Sequence, residues 1–362
     1  MLDFLQDEYI RVASRLKVVT ANMTVFLLQN MKRNGKLLMD VTYLHGKEWK
    51  TPKRSKLIES ILLGIPLPAF YLRENPEGAM AVIDGKQRLS AIFDYINGNY
   101  RLERLTELKS ISGLTYEQLP PFMQNRIEES QMVFHIIKPQ SYDSMTMEVF
   151  QRVNHGGEKL SAAEIRNFLY AGQSTKLINQ LAETDIFKEL IKGNVKPQKR
   201  MQDRECVTRF IAFYLWLCNY IGASAPAYQI DYEGDLNDFL AKTMKYLNAL
   251  SVKDFESLHL NTVFNETLHK CLNLFGKNWP CVPSRKKQAP LFNKCMFDAL
   301  SSVVAVLRHV DDNITDQRLI NARNKLVKDK VFLDTVKHDP YDIRAFLDRY
   351  LIIFKTIQSS EV

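Results

Sequence analysis

The pattern of apolar residues changes character near the middle of the chain, and that change limits the fold more than any other feature. Up to residue 170, short runs with strand-like and helix-like periods alternate, and beyond it long helical periods follow one another with few strand-like runs between turn residues. The sequence therefore predicts an α+β domain over residues 1–170 followed by an all-α helical domain over 171–362. With 362 residues, 46% of them hydrophobic, the chain can bury a sizeable core in each half. Five cysteines, all from Cys206 onward, include no C-x-x-C pair and no zinc-ligand spacing, so they are expected as reduced thiols. The opening residues carry Asp3, Asp7 and Glu8 where an export signal needs basic residues, and a cytoplasmic location is expected.

Within the first half the punctuation is local. Residues 22–33 carry a helical period closed by Asn34-Gly35, and residues 37–44 read as a strand. Ser55 is placed to cap a helix whose Leu57, Ile58, Ile61 and Leu62 share a face, with Gly64 ending it and Pro66 and Pro68 preventing its resumption. Residues 69–73 and 79–83 form two strands separated by the turn sequence Glu74-Asn75-Pro76-Glu77-Gly78. Leu89, Ile92, Phe93 and Ile96 recur at helical spacing, which predicts a helix from Gln87 to a stop at Asn97-Gly98. Pro120-Pro121 opens another helix, residues 131–138 read as a strand, and residues 145–153 as a helix ending at Asn154-His155-Gly156-Gly157. Ser161 and Glu164 match a capping box for the next helix. Further helices are predicted over residues 175–191, 203–221, 235–250, 254–275, 293–308 and 340–357. Residues 210–230 lack charge, but Asn219, Gly222, Ser224, Pro226 and Gln229 interrupt them, so a buried helix and a loop are predicted in place of a membrane span.

Chemistry is expected at Asp84-Gly85-Lys86-Gln87-Arg88, between a strand and a helix. Such a loop offers unpaired backbone N–H groups and the positive end of the helix dipole to an anion. Gly85 permits close approach, Lys86 supplies a point charge, and Arg88 carries a planar fork suited to phosphate. Asp84 can hold a metal ion or orient water. The competing reading has Asp84 capping the helix, Gln87 reaching back, and both cations simply solvated.

A second segment, Phe150-Gln151-Arg152-Val153-Asn154-His155-Gly156-Gly157, joins this loop in a larger pattern with Leu57 to Pro68, the strand Ala81-Val82-Ile83 and Leu89. Together these segments, over roughly residues 20–170, resemble the N-terminal domain of GmrSD-type DNA-restriction proteins. The resemblance implies a ParB- and sulfiredoxin-like fold, and a domain that binds and often hydrolyses NTP with Mg2+ in systems that restrict foreign DNA. It places the functional centre on Asp84, Gly85, Lys86, Gln87 and Arg88, with catalysis on Asp84 and Arg88 and lysine standing where glutamine is usual. The later Arg, Asn and paired-glycine pattern falls on Arg152, Asn154, Gly156 and Gly157, as a second wall of the nucleotide pocket. Two departures stand out. Leu44-His45 replaces a usual Gln-Arg before Trp49, which puts hydrolysis in doubt, and no metal-nuclease pattern follows residue 170. His135, inside a strand and without a partner motif, reads as structural. The absence of a G-x-x-x-x-G-K-[ST] loop excludes ordinary P-loop chemistry.

The net charge of +8 is spread along the chain and favours anionic partners. Clusters at Lys50, Lys53, Arg54 and Lys56, at Lys192, Lys196, Lys199 and Arg200, and at Arg285, Lys286 and Lys287 are candidates to track DNA phosphates. Three functions compete at this level. One is a nucleotide-binding, NTP-hydrolysing protein of restriction or antiviral defence, with DNA and a separate nuclease subunit as partners, no membrane association and room for oligomers. The others are a non-catalytic binding module with a degenerate pocket, and a metal-dependent DNA nickase using Asp84 with Glu158 and Glu164.

Overall fold

A computed structural model describes residues 2–39, 49–141, 143–153, 161–192, 201–220, 228–282, 291–307, 314–337 and 341–360. The chain separates into two units, Met1–Leu160 and Ser161–Val362, each with its own hydrophobic core. Among the described residues the first is α+β and the second helical apart from one short hairpin.

The first unit runs α1 (Leu2–Ala13), β1 (Val18–Thr24), α2 (Val25–Arg33), β2 (Leu37–Leu38), α3 (Thr51–Leu63), β3 (Phe70–Glu74), β4 (Met80–Asp84), α4 (Lys86–Ile96), α5 (Pro121–Glu128), β5 (Gln131–Ile137) and α6 (Asp143–Val153). The five strands form one mixed sheet in the order β1-β5-β3-β4-β2. β3 lies antiparallel to β4 and parallel to β5, while β5 is antiparallel to the edge strand β1. One face of the sheet, with Phe70, Leu72, Val82 and Phe134, is buried against Leu28 of α2, Ile58 of α3 and Leu89 and Ile92 of α4. Each such side chain contributes roughly 1.5–3 kcal/mol when fully buried, more than the ~1 kcal/mol of a typical helix cap. The apolar faces, and not the caps, therefore set how the helices lie.

Two local expectations change. Residues 22–24 are the end of β1, paired with Val133, Met132 and Gln131, and Thr24 caps α2 through its side chain. The partner strand lies more than a hundred residues away, so local periodicity cannot report it. α3 starts at Thr51 with Pro52 in its first turn, and Ser55 sits buried within it, its Oγ accepting the Glu103 N–H at 2.9 Å. Glu59, on the same helix, accepts backbone N–H bonds from Thr106, Glu107 and Leu108 and so ties down the irregular segment after α4.

The second unit contains α7 (Ala162–Leu169), α8 (Gln173–Ala182), α9 (Asp185–Ile191), α10 (Gln202–Tyr220), α11 (Leu236–Ala249), α12 (Val252–Ser257) and α13 (Leu260–Phe275). After the hairpin β6 (Cys281–Val282) and β7 (Leu291–Phe292) come α14 (Lys294–Leu307), α15 (Asp316–Leu326), α16 (Lys330–Lys337) and α17 (Ile343–Gln358). The capping box at Ser161 and Glu164 forms as the sequence predicts, with both reciprocal bonds present. The helix predicted over 175–191 is two, because Glu183 and Thr184 close α8 and open α9. The helix predicted from 254 is also two, separated at His259, whose φ of 46° is left-handed. α15 and α16 are additional to the prediction. The five cysteines are unpaired and buried. Among the described residues no helix is long and apolar enough to cross a membrane.

At the centre of this unit Arg209 of α10 binds Asp298 of α14, with Nε donating to Oδ2 at 2.7 Å and a second bond from a terminal nitrogen. Both side chains are almost wholly buried, and burial pushes the Asp298 carboxyl up against the opposing pull of Arg209. Tyr341 packs under the guanidinium, and its hydroxyl accepts from Cys295 Sγ at 3.1 Å.

Candidate functional site

β4 ends at Asp84 and α4 begins at Lys86, so Gly85 alone makes the connection. Its φ is 99°, in the left-handed region, and a Cβ at this position would overlap the Phe70 ring. Glycine is required here both by the backbone and by the space. The cap position itself, Gly85, has no side chain to accept from the first turn of α4. Leu89 N–H returns to the Gly85 carbonyl at 2.9 Å, and the earlier N–H groups of that turn have no acceptor within the helix. The capping reading of Asp84 and Gln87 is therefore not the one the structure adopts. Gln87 instead accepts the Trp49 N–H through Oε1 at 3.2 Å.

Trp49 is held from two further directions. Arg54 Nε donates to its carbonyl at 2.8 Å while Nη1 reaches Asp94 at 3.1 Å, and Lys53 lies over its ring at 4.0 Å. The first basic cluster thus serves in part to fix Trp49 beside the start of α4. Tyr43, Leu44 and His45 lie outside the described residues.

Arg88 faces inward. Nη1 donates to the Pro68 carbonyl, Nη2 donates to the Ala69 carbonyl at 3.3 Å and to Asp84 Oδ2 at 2.8 Å, and the guanidinium lies 4.2 Å from the centre of the Phe70 ring. Burial lowers its pKa, with Asp84 opposing that shift, and the guanidinium keeps its charge. The fork expected on a ligand phosphate is occupied by the chain itself: Pro66 and Pro68 keep the segment before β3 out of a helix, leaving its carbonyls to be taken by a side chain. Asp84 is less enclosed, its side chain 31% exposed against 11% for Arg88.

The structure brings together Asp84, Gly85, Gln87 and Arg88, with Lys86 half-buried at the first position of α4. Arg152, at the end of α6, is 76% exposed and pairs with Glu148 one turn earlier at 2.6 Å. Asn154, Gly156 and Gly157 lie outside the described residues, as do Lys196, Lys199, Arg200, Arg285, Lys286 and Lys287.

Side chains outside the predicted site, among them His135, which the sequence reads as structural, complete the neighbourhood. The register of β3 against β4 slips by one residue, so that Tyr71 pairs with Asp84 and Leu72 with Val82, leaving Ile83 as an extra residue. Tyr71 is also opposite His135 of β5, and His135 is opposite Thr20 of β1. A row Asp84, Tyr71, His135, Thr20 therefore crosses four strands on the face opposite the core. The Tyr71 and His135 rings are 5.0 Å apart, and Thr20 Oγ1 and His135 Nδ1 share a hydrogen bond of 3.0 Å. Only the parallel pairing of β3 with β5 reveals this row.

Residues 46–171 match the family described as GmrSD restriction endonuclease, N-terminal domain. They form a domain of that family. No curated protein and no solved structure matches the chain. The GmrSD-type domain contains α3 through α6 and with them the whole Asp84 loop, and it extends past Leu160 into α7. β1 and α2, which supply Thr20 and part of the core, precede the matched residues.

Proposed function

We propose that the chain is a nucleotide-binding component of a DNA-restriction or antiviral defence system, in which the GmrSD-type domain takes a nucleoside triphosphate with Mg2+ at the Asp84 loop. The observation that carries this reading is Gly85, wedged against Phe70 in a left-handed conformation that places a helix start beside a partly exposed carboxylate. Backbone N–H groups there suit phosphate oxygens, and Lys86 adds a positive charge at the same turn. Asp84 uses Oδ2 for Arg88, and a single remaining carboxylate oxygen suits a Mg2+ that otherwise keeps water and phosphate ligands. When bound, that ion would neutralise phosphate charge; Arg88 would act by holding Asp84 and the loop in place. The ParB- and sulfiredoxin-like architecture implied by the resemblance, and partnership with DNA and a separate nuclease subunit, belong to the same proposal.

A second reading, binding without turnover, is favoured by the engagement of Arg88 with Pro68, Ala69 and Asp84, which leaves that guanidinium committed before any ligand arrives. Nicking by Asp84 is the weakest, since metal-dependent cleavage needs more carboxylates than this loop supplies and Glu164 closes the α7 cap. The deciding experiment is equilibrium binding of ATP, GTP and CTP with magnesium, followed by phosphate release, on wild type and Lys86→Ala. Binding with turnover, both weakened in the variant, supports the NTPase. Binding without turnover supports the second reading, and no binding to any of the three overturns both.

A further inference from the structure

The outer-face row beside Asp84 has a composition that a phosphate cradle alone does not explain. Going outward from Asp84, the successive cross-strand neighbours are an aromatic phenol, an imidazole and a hydroxyl, at positions where an edge-facing sheet could carry any polar residue. Both rings are only partly buried, Thr20 is exposed, and Asn22 and Val133, themselves cross-strand partners, flank His135 on the same face and are exposed. We infer that Tyr71 and His135 form the platform on which the nucleoside part of the ligand stacks, with its phosphates at the start of α4. This rests on the phosphate-binding reading of the Asp84 loop and extends it to the other end of the ligand.

Three observations support the placement. Adjacent strands are about 4.8 Å apart, so His135, two strands from Asp84, stands about 10 Å from it, a span comparable to that between the middle of a triphosphate and its base. The extra residue at Ile83 keeps Asp84 on the same side of the sheet as Tyr71; without it the pleat would turn the carboxylate toward the core face. Thr20 shares a hydrogen bond with His135 Nδ1 and so holds the imidazole ring in one orientation beside Tyr71. A stacked base makes no demand on its own hydrogen-bonding edge, so the platform is expected to accept purine triphosphates with little distinction.

The test compares ATP, GTP and inorganic tripolyphosphate, each with magnesium, for equilibrium affinity to wild type, Tyr71→Ala, Tyr71→Phe and Thr20→Val. Wild type should bind both nucleotides more tightly than tripolyphosphate. Tyr71→Ala should lose about tenfold or more of affinity for both nucleotides, the scale of one base stack, and keep that for tripolyphosphate, which also reports that the variant is folded. Tyr71→Phe should retain wild-type affinity, and Thr20→Val should show a smaller loss confined to nucleotides. Equal wild-type affinity for nucleotide and tripolyphosphate, or undiminished nucleotide binding by Tyr71→Ala, overturns the platform and leaves the phosphate site standing. No binding of tripolyphosphate or nucleotide by wild type overturns the phosphate site, and the platform with it.

Discussion

Each unit contains an arginine bound to an aspartate, and the two pairs are set in opposite surroundings. Arg209 and Asp298 join two core helices with almost no exposure, and Asp298 Oδ1 lacks a hydrogen-bond partner among the described residues. Arg88 and Asp84 sit one helical turn apart where a strand becomes a helix, with the arginine bonded to two carbonyls and the aspartate partly open. The first pair gains little beyond joining its helices, since taking two charges out of water offsets most of their attraction. In the second, the enclosed member holds the open member in position, an arrangement suited to presenting a carboxylate.

This contrast can be broken most directly in the helical unit. Asp298→Ala leaves the Arg209 charge buried alone and should destabilise by about 3–5 kcal/mol, read as a lowered urea midpoint. Asp298→Leu combined with Arg209→Met should recover most of that loss; if the double variant is as unstable as the single, the pair does more than fill the core. Gly85→Ala should come next, at about 2–4 kcal/mol from backbone strain together with crowding of Phe70. It should also reduce nucleotide binding, whereas Asp298→Ala should not under conditions where it stays folded.

Arg88→Lys sharpens the comparison on the other side. Lysine keeps the charge but cannot serve Pro68, Ala69 and Asp84 together, so a loss of about 1–3 kcal/mol is expected, with nucleotide affinity falling through displacement of Asp84. A variant with wild-type stability and no binding would instead place Arg88 on the ligand. The smallest effect concerns acid. Burial alone would raise the Glu59 carboxyl, but the N–H groups of Leu108, Thr106 and Glu107 outweigh it and hold the pKa below the ordinary 4.5. A carboxyl with a depressed folded value stabilises fully above its unfolded value and loses that contribution as pH falls through the folded one. Glu59→Gln should therefore cost about 1–2 kcal/mol at pH 7, and the gap to wild type should narrow below pH 4.5 in denaturation measured across that range.

Where structure depends on neighbours in sequence, it could be read in advance. The hairpin of β3 and β4, the Gly64 stop, the α4 face built on Leu89 and Ile92, and the Ser161 capping box all rest on spacing and turn chemistry within a few residues. β1 was hidden because its pairing with β5 joins Val18 to Ile137, and residues 22–24 fit a helical period as well as a strand. At the site, Asp84 and Gly85 were legible from the strand, loop and helix order. The inward commitment of Arg88 was not, since it requires carbonyls from Pro68 and Ala69, and neither was the alignment of Tyr71 and His135, which only the sheet creates.

The close approach of Gly85 to Phe70 has a spectroscopic consequence. The direction a Cβ would take, straight into the ring, is occupied by one α-hydrogen, while its geminal twin points away. The two should resonate far apart in a proton spectrum, with the pair displaced from the usual glycine region by the ring current. Any molecule settling against the loop, or any drift of the ring, would move that signal, so the residue that shapes the turn also supplies an intrinsic reporter requiring no attached probe.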